Sequence, residues 1–168
     1  MANFESSLNK LIVAEGGYKL TRLPTEEAVT YAGIYRQAHP RWPGWAYVDR
    51  NETPPTQLVR DFYREEFWNK IQGDSIESDE LAHLLFDFAV NTSYSVSNKL
   101  AQVILGLQAD GVVGPKTIKA LNEVDVEYFV LKYSIAKIAR YRDIVTKNPA
   151  KKVFLLGWVN RVLAVLGG

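Results

Sequence analysis

Apolar residues recur with helical spacing along most of the chain. The first stripe begins at Phe4 and ends at Glu15, where two glycines follow that are typical of a helix end. Between residues 18 and 55 this spacing is lost, and prolines and glycines interrupt the chain. A small β-hairpin around Tyr18–Leu20 and Val29–Ile34 is the element we predict there.

After residue 55 the helical spacing returns in segments that are separated by glycine, proline and capping residues. These segments predict helices at Thr56–Ile71, Asp79–Asn91, Ser95–Leu107, Pro115–Asn122, Asp125–Thr146 and Ala150–Leu166. The fold class that we predict is therefore mostly α, with one small β element near the N-terminus. We predict an N-terminal lobe over 1–77 and a helical lobe over 78–168, joined in one compact fold.

Composition excludes several classes of function. The 168 residues contain no cysteine, which excludes disulfide frameworks, thiolate zinc sites and cysteine nucleophiles. His39 and His83 are the only histidines and have no neighbouring ligand, so we predict structural roles for them and no metal site. The net charge of +1 argues against nucleic-acid binding. The longest apolar run, Val153–Val159, is too short for stable membrane insertion.

The charges are unevenly placed along the chain. The first half is acidic and the second half is basic, with most of the basic residues in Lys137–Lys152. We interpret this basic segment as the solvated face of a helix, and weak attraction to an anionic polymer such as peptidoglycan is a second interpretation.

Glu15 is the first candidate for chemistry. A carboxylate at the C-terminal end of a helix is disfavoured by the helix dipole, and the apolar neighbours Ile12, Val13 and Tyr18 would remove water from it. Both effects favour the protonated form that a general acid needs at neutral pH. The alternative is a solvated glutamate that merely precedes a glycine cap.

The aromatic segment His39–Tyr47 is the second candidate. Trp42, Trp45 and Tyr47 lie on a loop rich in proline and glycine, and such rings can stack against the apolar faces of sugars. Large aromatic side chains are also mostly buried, so the same rings could instead fill the core beneath a long loop.

Short motifs in the order of one known family run along nearly the whole chain. The sequence resembles glycoside hydrolase family 108, which includes phage endolysins and secretion activator proteins with N-acetylmuramidase activity, followed by peptidoglycan-binding domain 3. The motifs that carry this resemblance are Glu15–Tyr18, Thr30–Ile34, Phe62–Asp74, Leu85–Asn91, Gln108–Thr117 and Trp158–Val162.

The resemblance implies a lysozyme-like fold that hydrolyses the bond between N-acetylmuramic acid and N-acetylglucosamine in peptidoglycan without a cofactor. It implies that Glu15 protonates the glycosidic oxygen, and we predict that Thr30 orients the attacking water. We predict a sugar cleft whose aromatic and polar residues are Tyr18, Tyr31, Trp42, Trp45, Tyr47, Asp87 and Asn91.

One segment departs from the pattern of the family. Between Tyr18 and Thr30 the family commonly has aspartates and a Gly-Gly pair, whereas this chain has neither. Lysozymes usually use a second carboxylate to stabilise the transition state or to activate water. We predict that Glu26 or Glu27 takes this part.

Access to the cell wall is the remaining expectation. The first residues do not resemble a secretory signal, so we expect synthesis in the cytoplasm and action at the wall or periplasm after release by a holin or an export system. Two alternatives stay open, which are a non-catalytic peptidoglycan-binding protein on the same fold and a lytic transglycosylase, which needs one glutamate only.

Overall fold

A computed structural model describes residues 1–22 and 29–166 of the chain. The α-helices in these residues are α1 Phe4–Ala14, α2 Trp45–Val48, α3 Thr56–Tyr63, α4 Asp79–Asn91, α5 Tyr94–Ile104, α6 Pro115–Glu123, α7 Val126–Lys147 and α8 Leu155–Val165. The prediction of a mostly α fold with a small β element is confirmed, because the helices dominate and the strands are confined to the N-terminal part.

Four of the longer helices begin where the sequence supplies a cap. The side chains of Asn3, Ser78, Ser93 and Asp125 each accept a hydrogen bond from a backbone N–H in the first turn of the helix that follows. Each such cap contributes about 1 kcal/mol. Helix α6 begins instead with Pro115, whose missing N–H costs nothing at this position.

The segment predicted as one helix from Thr56 to Ile71 changes its winding twice. It is α-helical to Tyr63, forms a π-helical turn over Arg64–Trp68 and ends in a 3-10 turn over Asn69–Ile71. The buried Trp68 indole donates a hydrogen bond to Asp74 Oδ1 at 2.8 Å, so the chain must turn back sharply after Ile71. The segment predicted as a helix from Thr56 to Ile71 is helical throughout, but it is not one uniform α-helix.

The small sheet has three antiparallel strands in the order β1 Leu20–Arg22, β2 Val29–Tyr31 and β3 Ile34–Tyr35. The two residues between β2 and β3, Ala32 and Gly33, both have positive φ, as type I′ hairpin turns require. The predicted hairpin is therefore present, and it has one strand more than we expected.

Helix α4 lies at the centre of the fold. Eight of its thirteen residues are buried, and it packs against α1, α5 and α7. A single apolar core thus runs through both predicted lobes, and the division between residues 77 and 78 stays a prediction. No helix in the described part of the chain is long and apolar enough to span a membrane.

The aromatic loop residues lie in this core rather than in an open cleft. Trp42 and Trp45 are only 6% and 3% exposed, and Tyr31, which stacks on Trp42, is 4% exposed. Both indole N–H groups are already used, since Trp42 donates to the Leu58 carbonyl and Trp45 to that of His39. The predicted sugar stacking by these three rings is corrected, because burial leaves no free ring face for a sugar.

Replacing Trp45 should therefore cost stability. We expect Trp45→Ala to lower the free energy of unfolding by about 3–5 kcal/mol, because it leaves a cavity and removes the hydrogen bond from the indole to the His39 carbonyl. Urea unfolding measures this loss, and Tyr94→Ala serves as the control because Tyr94 is well exposed. A loss below about 1 kcal/mol for Trp45→Ala would contradict the core assignment.

Candidate active site

Glu15 lies at a sharp change of chain direction at the end of α1. The Gly17 N–H donates to the Ile12 carbonyl at 2.8 Å and the Gly16 N–H donates to the Val13 carbonyl at 3.1 Å, which together form a Schellman motif. Both glycines have positive φ, which glycine adopts without strain. The helix end predicted from sequence is therefore present, and Glu15 is its C-cap residue.

The turn between β2 and β3 lies directly against the Glu15 side chain. A Cβ atom on Gly33 would be 2.9 Å from Glu15 Cγ and 2.6 Å from the Tyr63 hydroxyl oxygen. The Tyr63 hydroxyl in turn donates to the Ala32 carbonyl at 2.7 Å. Burial, and then the charge of Glu15, raises the pKa of Tyr63, so its hydroxyl stays a donor. Only glycine fits between these two side chains.

Arg161 connects Glu15 to a second carboxylate. This residue lies on α8, and its Nη1 donates to Glu15 Oε1 at 3.0 Å. Its Nε donates to Asp87 Oδ1 at 2.8 Å, and its Nη2 lies 2.8 Å from the same oxygen without the alignment of a hydrogen bond. Burial alone would lower the pKa of Arg161, but Asp87 and Glu15 together raise it.

A buried lysine completes the chain of charges. Lys137 Nζ lies 3.5 Å from Asp87 Oδ2, and these side chains are 0% and 5% exposed. Burial lowers the pKa of Lys137, although Asp87 opposes this shift. Lys137 is therefore no part of a solvated face, and our interpretation of the basic segment is wrong for this residue.

The surroundings of Glu15 are more polar than the sequence suggested. Of the three apolar neighbours expected to remove water from it, Ile12 is buried, whereas Val13 and Tyr18 are exposed. The guanidinium of Arg161 lies 3.0 Å from Oε1, so a charged group borders the carboxyl group where the sequence suggested apolar ones. Among residues 1–22 and 29–166, Glu15 Oε2 has no hydrogen-bond partner, so this oxygen can carry the proton of a general acid.

The other predicted site residues are dispersed around this centre. Thr30 is half-buried in β2, where it pairs with Thr21 and Tyr35. Tyr18 is exposed close to the Glu15 turn, whereas Tyr47 is partly covered by the Arg50 guanidinium at 5.1 Å.

Four predicted residues lie outside the cleft that we expected, or outside the described structure. Asp87 is buried behind Arg161, which contacts both Asp87 and Glu15, and Asn91 is half-buried at the last turn of α4. Glu26 and Glu27 lie outside the described residues, and their part stays a prediction. Arg22 and Val29, which flank the segment with Glu26 and Glu27, pair with each other in the sheet. This pair lies three strand positions, about 10 Å, from the backbone hydrogen bond between Ala32 and Lys19 near Glu15.

Two cavities border this part of the fold. The larger, about 700 Å³, lies between the His39–Pro43 loop and α3 and does not touch Glu15 or Arg161. The second, about 590 Å³, is bordered by Asp87, Arg161 and His83, so it adjoins the charged network. Burial lowers the pKa of His83, which keeps this side chain neutral near pH 7. In the described ranges no cluster of His, Asp and Glu could hold a metal ion.

Comparison with known families agrees with this arrangement. A family profile described as Glycosyl hydrolase 108 matches residues 8–92, which is half of the chain. The chain belongs to glycosyl hydrolase family 108. A second profile, described as Predicted Peptidoglycan domain, matches residues 96–163. Glu15 lies in the hydrolase part and Arg161 in the peptidoglycan domain, so the contact between them joins the two.

One solved structure supports the fold of this family 108 chain. Brucella abortus SagA shares 23% of its residues with this chain, over 96% of this chain and 90% of that one, with a TM-score of 0.74. The similarity shows that both have the same lysozyme-like fold. A comparison with curated proteins finds no match.

The sequence analysis missed two residues of the site. Tyr63 lies within a family motif, but only the tertiary structure shows its contact with the Gly33 turn. Arg161 carried a signal that could have identified it, since it is the only charged residue in the apolar helix α8. A lone charge among apolar residues is costly unless a partner meets it.

A substitution at Gly33 tests how closely the turn packs on Glu15. We expect Gly33→Ala to lower the free energy of unfolding by more than Gly106→Ala does. Both glycines have positive φ, but only a Cβ at residue 33 meets other atoms. Backbone strain accounts for about 1 kcal/mol in each variant, and the collision adds to it only at residue 33. Equal losses in urea unfolding would contradict this packing.

A second pair of variants tests the buried charges. We expect Asp87→Asn to lower the free energy of unfolding by about 3–5 kcal/mol, because Arg161 and Lys137 would lose their shared buried partner. Asp49→Asn is the control, since Asp49 also pairs with an arginine, Arg36, but at the surface. This control should cost about 1 kcal/mol or less. A similar cost for both variants would show that burial of Asp87 contributes little.

Proposed function

We propose that this chain is a peptidoglycan N-acetylmuramidase in which Glu15 is the general acid. The family places a glycosyl hydrolase beside a peptidoglycan domain, and the specific bond is our inference. The observation that carries it is the carboxyl group of Glu15, whose Oε1 accepts a hydrogen bond from Arg161 while Oε2 has no hydrogen-bond partner among the described residues.

The two carboxyl oxygens of Glu15 have different roles in this mechanism. Arg161 Nη1 continues to donate to Oε1 when the carboxyl group is protonated, because a carbonyl oxygen also accepts hydrogen bonds. The proton is then carried by Oε2, from which it passes to the glycosidic oxygen as the bond to the sugar breaks. Packing against Gly33 and Tyr63 restricts the side chain to this orientation.

The second carboxylate distinguishes this proposal from a lytic transglycosylase. Within the described ranges, Asp87 is the carboxylate that Arg161 links to Glu15, and it is buried and paired with two cations. Such a carboxylate is a poor nucleophile or base, so either Glu26 or Glu27 supplies this function or Thr30 positions the attacking water. A transglycosylase needs no second carboxylate and is therefore the second candidate.

Peptidoglycan lies outside the cytoplasm, so the proposal includes a route to it. We propose that the protein acts at the wall or periplasm after release by a holin or an export system, with peptidoglycan as its ligand.

Replacing Glu15 tests the acid directly. We expect Glu15→Gln to reduce the turnover of purified cell walls by about a hundredfold or more, because the amide cannot donate the proton. The Gln carbonyl can still accept the hydrogen bond from Arg161, so the free energy of unfolding should change by less than about 1 kcal/mol. Glu127→Gln, at an exposed glutamate of α7, is the control.

The released products identify the reaction. A hydrolase leaves a hydrated reducing end on the muramic acid, whereas a transglycosylase leaves a 1,6-anhydro end, and mass spectrometry distinguishes them. Wall binding without any release by the native protein would show the non-catalytic alternative. More than about a tenth of the native turnover in Glu15→Gln would contradict the acid assignment.

Separate variants test the second carboxylate. A lysozyme-type reaction needs one second carboxylate, so we expect only one of Glu26→Gln and Glu27→Gln to lose most of its turnover on purified walls. The other variant is then its natural control. Native turnover in both would favour a mechanism with Glu15 alone and a water held by Thr30.

A further inference from the structure

A cluster of apolar and basic side chains is exposed where the last two helical segments meet. We call Lys151, Lys152, Val153, Phe154 and Leu156 the C-terminal patch. Val153, Phe154 and Leu156 are 78%, 57% and 71% exposed, although each is large and apolar. Adjacent exposed apolar side chains of this size typically mark an interaction surface.

The exposed stripe continues along α8. Leu163 lies seven residues after Leu156, which places it on the same side of the helix, and it is also exposed. The opposite side contains the buried Val162 and Arg161, which points toward Glu15 and Asp87. Helix α8 is thus anchored by one face and leaves an apolar face uncovered.

The charges of this region have one sign. Residues 144–168 contain four basic residues and no acidic residue. Arg161 is committed to the site, whereas Lys147, Lys151 and Lys152 are exposed around the patch. The nearest acidic residue in the sequence, Asp143, is paired with Arg142. The partner of this surface should therefore be anionic as well as apolar.

An aromatic stack connects Phe154, one member of the patch, to the core. Phe154 stacks on Trp158 with ring centroids 6.0 Å apart, and Trp158 stacks on the buried Tyr141 at 5.0 Å. The exposed ring of Phe154 is therefore held by the core before any partner binds. Such an arrangement reduces the entropy that binding would otherwise cost.

We propose that the C-terminal patch docks the protein on the surface of an anionic lipid bilayer. Aliphatic side chains can enter the boundary between headgroups and acyl chains, while neighbouring lysines meet the lipid phosphates. A glycan would use the aromatic ring but would gain little from Val153 and Leu156. A second copy would present the same lysines to this patch, because dimer contacts are usually isologous.

This inference concerns peripheral docking and does not depend on Glu15 or on the reaction that we propose. The test is cosedimentation of the native protein with vesicles of phosphatidylglycerol and phosphatidylcholine, against vesicles of phosphatidylcholine alone. We expect binding to the anionic vesicles that weakens with added salt.

Two double variants separate the contributions of charge and apolar surface. Lys151→Gln with Lys152→Gln should weaken binding by on the order of thirtyfold, and Val153→Ser with Leu156→Ser by at least about tenfold. The matched controls are Lys116→Gln with Lys119→Gln, and Val103→Ser with Leu131→Ser, at exposed positions elsewhere. Unfolding curves verify that every variant is folded. If the variant with the two serine substitutions does not fold, the variant with the two lysine substitutions still tests the proposal.

Several results would overturn the proposal. These are no binding of the native protein to anionic vesicles, equal binding to both kinds of vesicle, or equal loss in the patch variants and their controls. Sedimentation velocity provides one more such result. If the native protein is a dimer and the variant Val153→Ser with Leu156→Ser is a monomer, a second copy covers the patch. The native protein could also bind purified walls but no vesicles. If only the patch variants lose this wall binding, the surface binds peptidoglycan instead.

Discussion

The line of charges from the half-buried Glu15 and Arg161 to the buried Asp87 and Lys137 is the constraint on which the site depends. Each ion in it would be costly alone, and each is stabilised by a neighbour of opposite sign. Because α1, α4, α7 and α8 each contribute one member, the four helices must be correctly placed together. The contacts of Arg161 with Glu15 and Asp87 therefore connect the hydrolase part to the peptidoglycan domain.

The small sheet makes a different contribution, since it positions a turn rather than a charge. The turn of Ala32 and Gly33 covers one side of Glu15, and the Tyr63 hydroxyl holds it by the Ala32 carbonyl. Arg161 holds the carboxylate by a hydrogen bond to Oε1. A side chain fixed by packing and by one hydrogen bond has a defined orientation, as a general acid requires.

Helix α8 combines two tasks that place opposite demands on its faces. Its inner face must be polar at Arg161, although most of the helix is apolar. Its outer face carries exposed apolar residues close to lysines, which we propose to be a membrane-docking surface. A wall hydrolase held at a bilayer would remain close to its substrate, and the rigid aromatic stack links that surface to the core beside the site.

The sequence by itself determined the helices, the glycine stop after Glu15 and the family, because these depend on local spacing, capping and short motifs. Its errors came from residues whose surroundings are assembled over long distances. Trp42 and Trp45 were compatible with a sugar cleft or with the core, and only burial against α3 and the preceding loop decided between these. Lys137 belongs to a basic segment of the sequence, but in the structure it is buried and pairs with Asp87, fifty residues earlier. Arg161 lies 146 residues from Glu15, and no local pattern specifies such a pairing, because it follows from how the helices pack.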